Sequence, residues 1–525
     1  MEFGTTATVE TAAGELESHK PNPMSPMRQQ AKFSDIDVND EDDDDAHLQR
    51  LGKRPLLNRS FGFMSILGFS CSALLSWEGV LVTSVPGLLN GGPAGVIWGF
   101  LLNWIGTMSV YAAMAELASI APTAGGQYHW VSMLAPARCR NFLAYITAWL
   151  TVTAWQAMAV STGYIVATLL QGMVVLVQPT SSYIPESWHT ILILWAAMVF
   201  AVVMNSTTSR ALARFEGLVL VLHLAGFFCV LVPLGGWSGQ GLSFLVGFPT
   251  VATALVGADC AVHMAEEIQC AALVVPRALM YTIFINGSLA FAMIIALMFC
   301  LDDLPSALAA AETMFYPFLQ VFLTAVGSAT GACIVAGVIL AVGLASSVSV
   351  YASASRMLWF STSTWSGNSL PVTAIVATLT TTMLLSLIAL GSKVALSALL
   401  SLVIAALSSS YLLVCSLLLW RRTTGAMQPH ISGSAGTRRV PVLDPDDLSW
   451  GVWRVPEPLG TINNVFAVLY SAFLLFWSFW PQTDPTAPET ANWSVLVFGA
   501  VVVFRVLWYV VRAKRHFKGP IRETS

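Results

Sequence analysis

The sequence predicts an all-α polytopic membrane protein: twelve transmembrane helices, a 5+5 inverted repeat with broken helices one and six, plus two C-terminal helices. Three observations predict it. The 525 residues are 56% hydrophobic and only 10% charged, with mean hydropathy +0.69, whereas a soluble chain carries about 25% charged residues. Apolar runs near the ~20 residues that a bilayer requires recur through most of the chain. Two of those runs are interrupted by a carboxylate beside a glycine. One interruption is Ser76, Trp77, Glu78 and Gly79; the other is Gly257, Ala258, Asp259 and Cys260.

Residues 1–55 come first, as a cytosolic tail. They are rich in Ser, Pro, Glu and Asp, and an acidic run occupies 41–45. Such a stretch buries too little apolar surface to fold and is expected to be disordered. No apolar core or cleavage site of a secretory signal is visible in it. Lys20, Lys32 and Lys53 are handles for trafficking or ubiquitination machinery, against the plainer reading of a solvated tail. Lys53, Arg54 and Arg59 mark the membrane edge.

A ten-helix core at 56–420 follows. Its spans are expected at 61–85, 94–121, 141–176, 188–206, 213–234, 241–270, 279–301, 317–358, 371–391 and 394–420. The third, sixth and eighth are long, so tilt or a lateral extension is expected. A cytosolic loop at 421–460 leads to two accessory helices within 461–512, at 461–481 and 493–512, and to a cytosolic tail at 513–525. The eight cysteines show no metal-ligand spacing and read as small buried hydrophobes.

Charge tests the count. One set of connections carries Arg138, Arg140, Arg210, Arg214, Arg277, Arg421, Arg422, Arg438, Arg439 and Arg454; the other carries Glu186, Asp302, Asp303, Glu312, Asp484 and Glu489, with Lys393 the lone base. This is the positive-inside pattern with both termini cytosolic, and an odd number of spans would spoil it. The sequon at Asn492 lies too close to the membrane to be expected in use.

A charged side chain at membrane depth marks a functional site by default. Irregular backbone at that depth is tolerated only against protein or a watery cavity. Interruptions in the first and sixth spans, which run in opposite directions, are the signature of an inverted-repeat carrier. Each break would expose N–H groups on one side, near Val80 and Ala261, that suit a carboxylate, and bare carbonyls on the other that suit an ammonium.

Individual residues admit two readings each. Glu78 is an anchor for a cationic nitrogen or a carboxylate paired with the N–H groups of its own break; Asp259 has the same alternatives, and either can carry a coupling proton. Trp77, Trp155 and Tyr111 are an aromatic wall for a cation or ordinary packing. Gln156 is a polar contact for the solute or an interhelical hydrogen bond. His263 is a proton relay or a satisfied helix histidine, and His223 is read as structural. Glu116, Glu266 and Glu267 form an inner gate with Arg138, Arg210, Arg277 or Arg356, or are solvated at the headgroups. Arg505 snorkels or pairs inside the bundle.

Several strings together resemble a known superfamily. Gly91, Gly92 and Pro93 follow the first break. Glu116 and then Pro122, Thr123, Ala124, Gly125, Gly126, Gln127, Tyr128, His129 and Trp130 close the second span. Glu266, Glu267, Pro276 and Arg277 follow the second break, and Ser355 and Arg356 close the eighth span. These look like the amino acid–polyamine–organocation superfamily. The stretches at 61–70 and 241–247 narrow the likeness to the fungal amino acid/choline transporter family, which includes choline and γ-aminobutyrate permeases. The resemblance covers about residues 50–515. It implies that Trp77, Glu78 and Gly79 fall on the motif that unwinds helix one, and Gly257, Ala258 and Asp259 on the motif that unwinds helix six, both at the substrate site. The chain departs from relatives in its short connections at 233–236 and 361–367.

The resemblance implies a plasma-membrane permease that imports a small nitrogenous solute such as an amino acid, γ-aminobutyrate or choline by alternating access. Some superfamily members hold sodium between helices one and eight. Here Ser346, Ser347, Ser349, Ser353 and Ser355 read as close-packing residues instead, which favours proton coupling. The alternative is a nutrient sensor on the same fold. An enzyme is excluded as a reading: no nucleophile elbow, metal-ligand cluster or phosphate loop is visible. The expected partners are an amine or amino-acid solute, protons and the lipid bilayer, with no cofactor and no nucleic acid.

Overall fold

The computed structural model describes residues 44–45, 48, 51, 59–178, 183–206, 209–231, 252–301, 304–362, 372–391, 393–429, 448–480, 492–517 and 519. Most of the 1–55 tail, the connection at 233–236, the 241–251 part of the sixth span and nearly all of the short stretch at 361–367 lie outside the described residues.

Helices α1 (Phe63–Leu74) and α2 (Ser76–Ile120) are parted by a single residue. Leu75 adopts the left-handed region, φ 49° and ψ 50°, where a side chain is disfavoured. Gly92 gives α2 a second departure from helical geometry, φ 57° and ψ −171°, which glycine tolerates. The first span is therefore Phe63–Leu89 and the second Gly92–Ile120. The Pro122 to Trp130 string turns at Gly126 (φ 48°) into the short buried helix α3 (Gln127–Leu134). Next come α4 (Arg140–Val177), α5 (Ser187–Asn205) and α6 (Ser209–Leu231).

The described part of the sixth span is not one helix. A 3-10 turn at Thr253–Leu255 leads through the bend at 256–259 into the one-turn α7 (Cys260–His263), then another 3-10 turn at Ala265–Glu267. Helix α8 (Ala271–Cys300) follows. Helices α9 (Leu304–Met314) and α10 (Pro317–Val326) meet at a sharp bend of 114°. Helix α11 (Ala329–Thr362) comes next. The single long span expected at 317–358 thus divides, because Gly327 caps α10 in the left-handed region and α11 starts afresh. Helices α12 (Val372–Ser386), α13 (Ile388–Gly391) and α14 (Lys393–Thr423) close the core; α15 (Leu459–Ser478) and α16 (Ser494–Trp508) form the accessory pair.

Ten of the described helices are long and apolar enough to cross a bilayer, or eleven if the bent α9–α10 pair counts as one span. The fifth expected span corresponds to α6, and the described part of the sixth is built of turns too short to count. Outward faces carry large apolar side chains such as Trp98, Ile105, Leu218, Phe284, Leu469 and Val511, all more than half exposed. Buried polar residues such as Glu116, Asn286 and Arg356 lie inside. That inversion is what lipid demands.

α8 runs along α2, α11 along α4, α1 along α6, and α14 along α4 and α15. Trp104 of α2 donates its indole N–H to the Ile283 carbonyl of α8 at 2.9 Å. A Cβ on Gly287 would lie 1.9 Å from that indole nitrogen. Gly287→Ala should therefore push the two helices apart and lose roughly 1–3 kcal/mol, read as a lower unfolding temperature of the purified protein. Gly499→Ala, where nothing lies within 4 Å, should leave it unchanged.

Candidate functional site

The break in helix one falls at Leu75, so Ser76, Trp77, Glu78 and Gly79 form the first turn of the second half-helix. The break in helix six is wider. Gly257 sits at φ 113°, and its N–H and that of Ala258 both donate to the Tyr111 hydroxyl, at 2.9 and 3.0 Å. The buried phenol of α2 thus satisfies two donors of the break, ahead of the N–H groups near Ala261 that the sequence offers to a substrate carboxylate. Tyr111 lies 3.2 Å from the Tyr411 hydroxyl, and Tyr411 donates to Asp259 Oδ1 at 2.6 Å. Gln127 of α3 donates to Asp259 Oδ2 at 2.6 Å. His263 Nε2 lies 3.3 Å from the same oxygen without hydrogen-bond geometry, while its Nδ1 donates to the Ala124 carbonyl at 3.0 Å.

Both breaks reach one cavity of about 450 Å³. Leu75, Glu78 and Gly79 contribute from helix one, and Thr253, Ala254 and Val256 from helix six. The two meet closely: a Cβ on Gly79 would stand 3.6 Å from that of Ala254. Apolar side chains of α4 and α11, among them Met158, Val166 and Ile339, line part of the wall, with Tyr164 and Tyr316 on it.

Glu78 is the only acidic residue among the lining residues. It is 1% exposed. Its Oε1 accepts from His223 Nδ1 of α6 at 2.9 Å, and its Oε2 has no hydrogen-bond partner among the described residues. His223 Nε2 is likewise unpaired. The cavity is therefore an apolar chamber with one half-satisfied carboxylate. An N–H donor or a cation is the group that would complete it.

The other predicted residues sit elsewhere. Trp77 is fully buried against His223 and Phe227, and Trp155 lies edge-on to His263 at 5.3 Å; neither lines the cavity. Ser76 binds Asn286 of α8. Gln156 reaches the Thr378 hydroxyl at 3.3 Å and the Ala354 carbonyl at 3.5 Å, joining α4 to α12 and α11. Ala258, Asp259 and Cys260 are buried behind the break. Sequence reasoning missed Tyr164, Tyr316 and the face of α4 from Met158 to Leu169; no pattern distinguishes that face from lipid-facing apolar runs.

A closed side lies beyond the breaks. Arg356 Nε pairs with Glu267 at 3.0 Å, and its Nη1 donates to Asn205 at 3.2 Å, with both charged side chains at most 2% exposed. Of the four arginines expected as gate partners, Arg356 is the one ion-paired to a gate glutamate among the described residues. Glu266 accepts from the Ala124 N–H at 3.3 Å. Glu116 pairs instead with Arg422 of α14, at 2.6 Å, and accepts from the Val455 N–H at 2.9 Å. Ahead of α1, Phe61 exchanges backbone hydrogen bonds with the strand-like stretch at Glu267 and Gln269, at 3.1 and 3.2 Å. Arg505 stacks over Trp149.

A bundle of apolar helices with two discontinuous spans meeting at a chamber defines a membrane transporter. A family model described as amino acid permease matches residues 61–502, and the chain belongs to that family of transporters, which are not enzymes. The choline transporter of Saccharomyces cerevisiae is 26% identical, over 88% of this chain and 83% of its own. Amino-acid permease 2 of Neurospora crassa is 24% identical, over 95% of this chain and 93% of its own. A putative polyamine transporter of Candida albicans is 26% identical, over 91% and 89%.

The Glu267–Arg356 pair yields a test of its own. Arg356→Leu strands a carboxylate in the interior and should cost about 3–5 kcal/mol. Adding Glu267→Leu should recover much of that loss. Unfolding temperatures of the two single variants and the double variant check the coupling.

Proposed function

We propose that this permease imports a small organic amine or quaternary ammonium, choline-like and without a required carboxylate, across the plasma membrane in symport with protons. One observation carries the choice of solute. Glu78, the acid among the chamber's lining residues, has an oxygen without a hydrogen-bond partner among the described residues, Oε2, while the Gly257 and Ala258 N–H groups at the helix-six break are bound to Tyr111. A cationic head finds a partner there; a carboxylate would meet like charge and two N–H groups already committed to Tyr111. The apolar part of the wall accommodates methyl groups, and Tyr164 and Tyr316 add aromatic rings to the lining. The names of the choline and polyamine relatives agree with this reading.

Alternating access supplies the mechanism. With both termini in the cytosol, as the positive-inside pattern requires, the closed layer at Glu267 and Arg356 is the cytosolic side and the chamber lies outward of it. The solute enters beside Glu78. Helix one with helix two, and helix six with helix seven, then rock against the remainder, and the inner layer opens as the outer one shuts. In the same reading the N-terminal tail with Lys20 and Lys32 is the handle for trafficking machinery.

Labelled choline uptake into cells expressing the chain tests this, with ethanolamine, γ-aminobutyrate, polyamines and neutral amino acids as competitors. Choline and ethanolamine should compete best; sole inhibition by amino acids would sink the proposal. Glu78→Gln should weaken uptake roughly thirtyfold or more, the equivalent of about 2 kcal/mol or above for a lost buried charge partner, with surface expression intact. Tyr111→Phe removes the hydroxyl from the Gly257 and Ala258 N–H groups. That variant should raise competition by γ-aminobutyrate relative to choline, measured in the same panel.

A further inference from the structure

Glu216 of α6 was not singled out by its sequence, yet it is fully buried where three helices meet. Ser72 of α1 lies 3.0 Å from its Oε2, and Ser349 of α11 lies 3.0 Å from Oε1 and 3.1 Å from Oε2. The two serine hydroxyls lie 2.7 Å from each other. Ser72 is also 3.0 Å from the Phe69 carbonyl.

Proton counting decides the state of this cluster. The three side chains make three mutual contacts, and each contact needs a hydrogen. Two hydroxyls supply two, and the Phe69 carbonyl competes for one of them. An ionised carboxylate brings no hydrogen, so at least one contact would set lone pair against lone pair. A protonated carboxyl closes the ring: Glu216 O–H donates to Ser72, Ser72 to Ser349, and Ser349 back to the other carboxyl oxygen.

Among the described residues no cation is paired with Glu216. The elements packed against α6 are α1, α11, α8 and α5. Their titratable or charged groups are Cys71 on α1, Cys333, Tyr351 and Arg356 on α11, Arg277, Tyr281 and Cys300 on α8, and His189 on α5; α6 itself adds Arg214, His223 and Cys229 among the described side chains. Among the described residues none of these makes a hydrogen bond or ion pair with Glu216. Arg356 is committed to Glu267, His223 to Glu78 and Tyr351 to the Ile375 carbonyl. An unpaired buried carboxylate is costly, so the neutral acid is the form this setting holds.

The position gives that proton a use. Ser72 is three residues before the hinge at Leu75. Gly68, one turn earlier, brings the backbones of α1 and α6 together, since a Cβ on it would lie 2.4 Å from the Glu216 carbonyl oxygen. Ser346, one turn from Ser349 on α11, lines the chamber. We infer that Glu216 is the group that carries the coupling proton. It is protonated from the chamber side while α1 is packed on α6 and α11. When α1 swings away, its O–H bond breaks, the proton passes to water on the cytosolic side, and the carboxylate is left hydrated. This rests on the proton-coupled reading above, and it adds the carrier of the proton.

Two measurements on the full-length protein test it. Infrared difference spectra of wild type against Glu216→Gln at neutral pH need no solute. They should show a protonated-carboxyl C=O band that the variant lacks, and Ser349→Ala should shift that band by removing its donor. A difference confined to carboxylate bands, or no shift in Ser349→Ala, would overturn the assignment. In proteoliposomes with the membrane potential clamped, one proton per solute across one pH unit holds about tenfold accumulation. With labelled choline as the probe, Glu216→Gln should lose this accumulation and keep solute exchange near the wild-type rate. Gradient-driven accumulation by the variant would exclude Glu216 as the carrier. If wild type handles no choline, the choice of solute falls while the infrared result still decides Glu216.

Discussion

A carboxylate inside a hydrocarbon slab has to be neutralised, and that single requirement organises the interior of this permease. Five of the six buried acids among the described residues meet it in four ways. Glu267 and Glu116 each take an arginine, from α11 and α14. Asp259 takes a phenol and an amide. Glu216 has two serines. Glu78 has one histidine and keeps an oxygen in reserve. The arginine-paired acids sit where helices are clamped together. Glu78 is the one of the five that lines the chamber.

Much of the scaffold was legible from residues alone, because apolar length is a direct consequence of bilayer thickness. The spans that became α4, α5 and α15 fall within a few residues of their predicted bounds. The Pro122 to Trp130 string also announced its importance. It folds onto the helix-six break, where Gly126 lets Val262 and His263 come within about a side chain's contact distance and Gln127 reaches Asp259.

The site itself was legible only in part. Glu78 and Gly79 do line the chamber, but the hinge is Leu75, which no propensity would have nominated. Partners far apart in sequence were invisible: Tyr111 capping Gly257, Arg422 meeting Glu116 across 306 positions. His223 was read as structural although it holds the acid at the centre. Such pairings depend on which helix faces which, and helices that are hydrophobic all round give no azimuth to read. The serines of the eighth span were read as packing residues, yet Ser349 is bound to a carboxylate from a helix whose part in the site was not foreseen.

Gly92 is the one residue with non-helical dihedrals in the 45-residue run that joins the first two spans. There is no slack loop between them in which a displacement could be absorbed. The outer portion of the first span and the second span are two stiff rods joined at one kink, so any change in the angle between them is concentrated at Gly92.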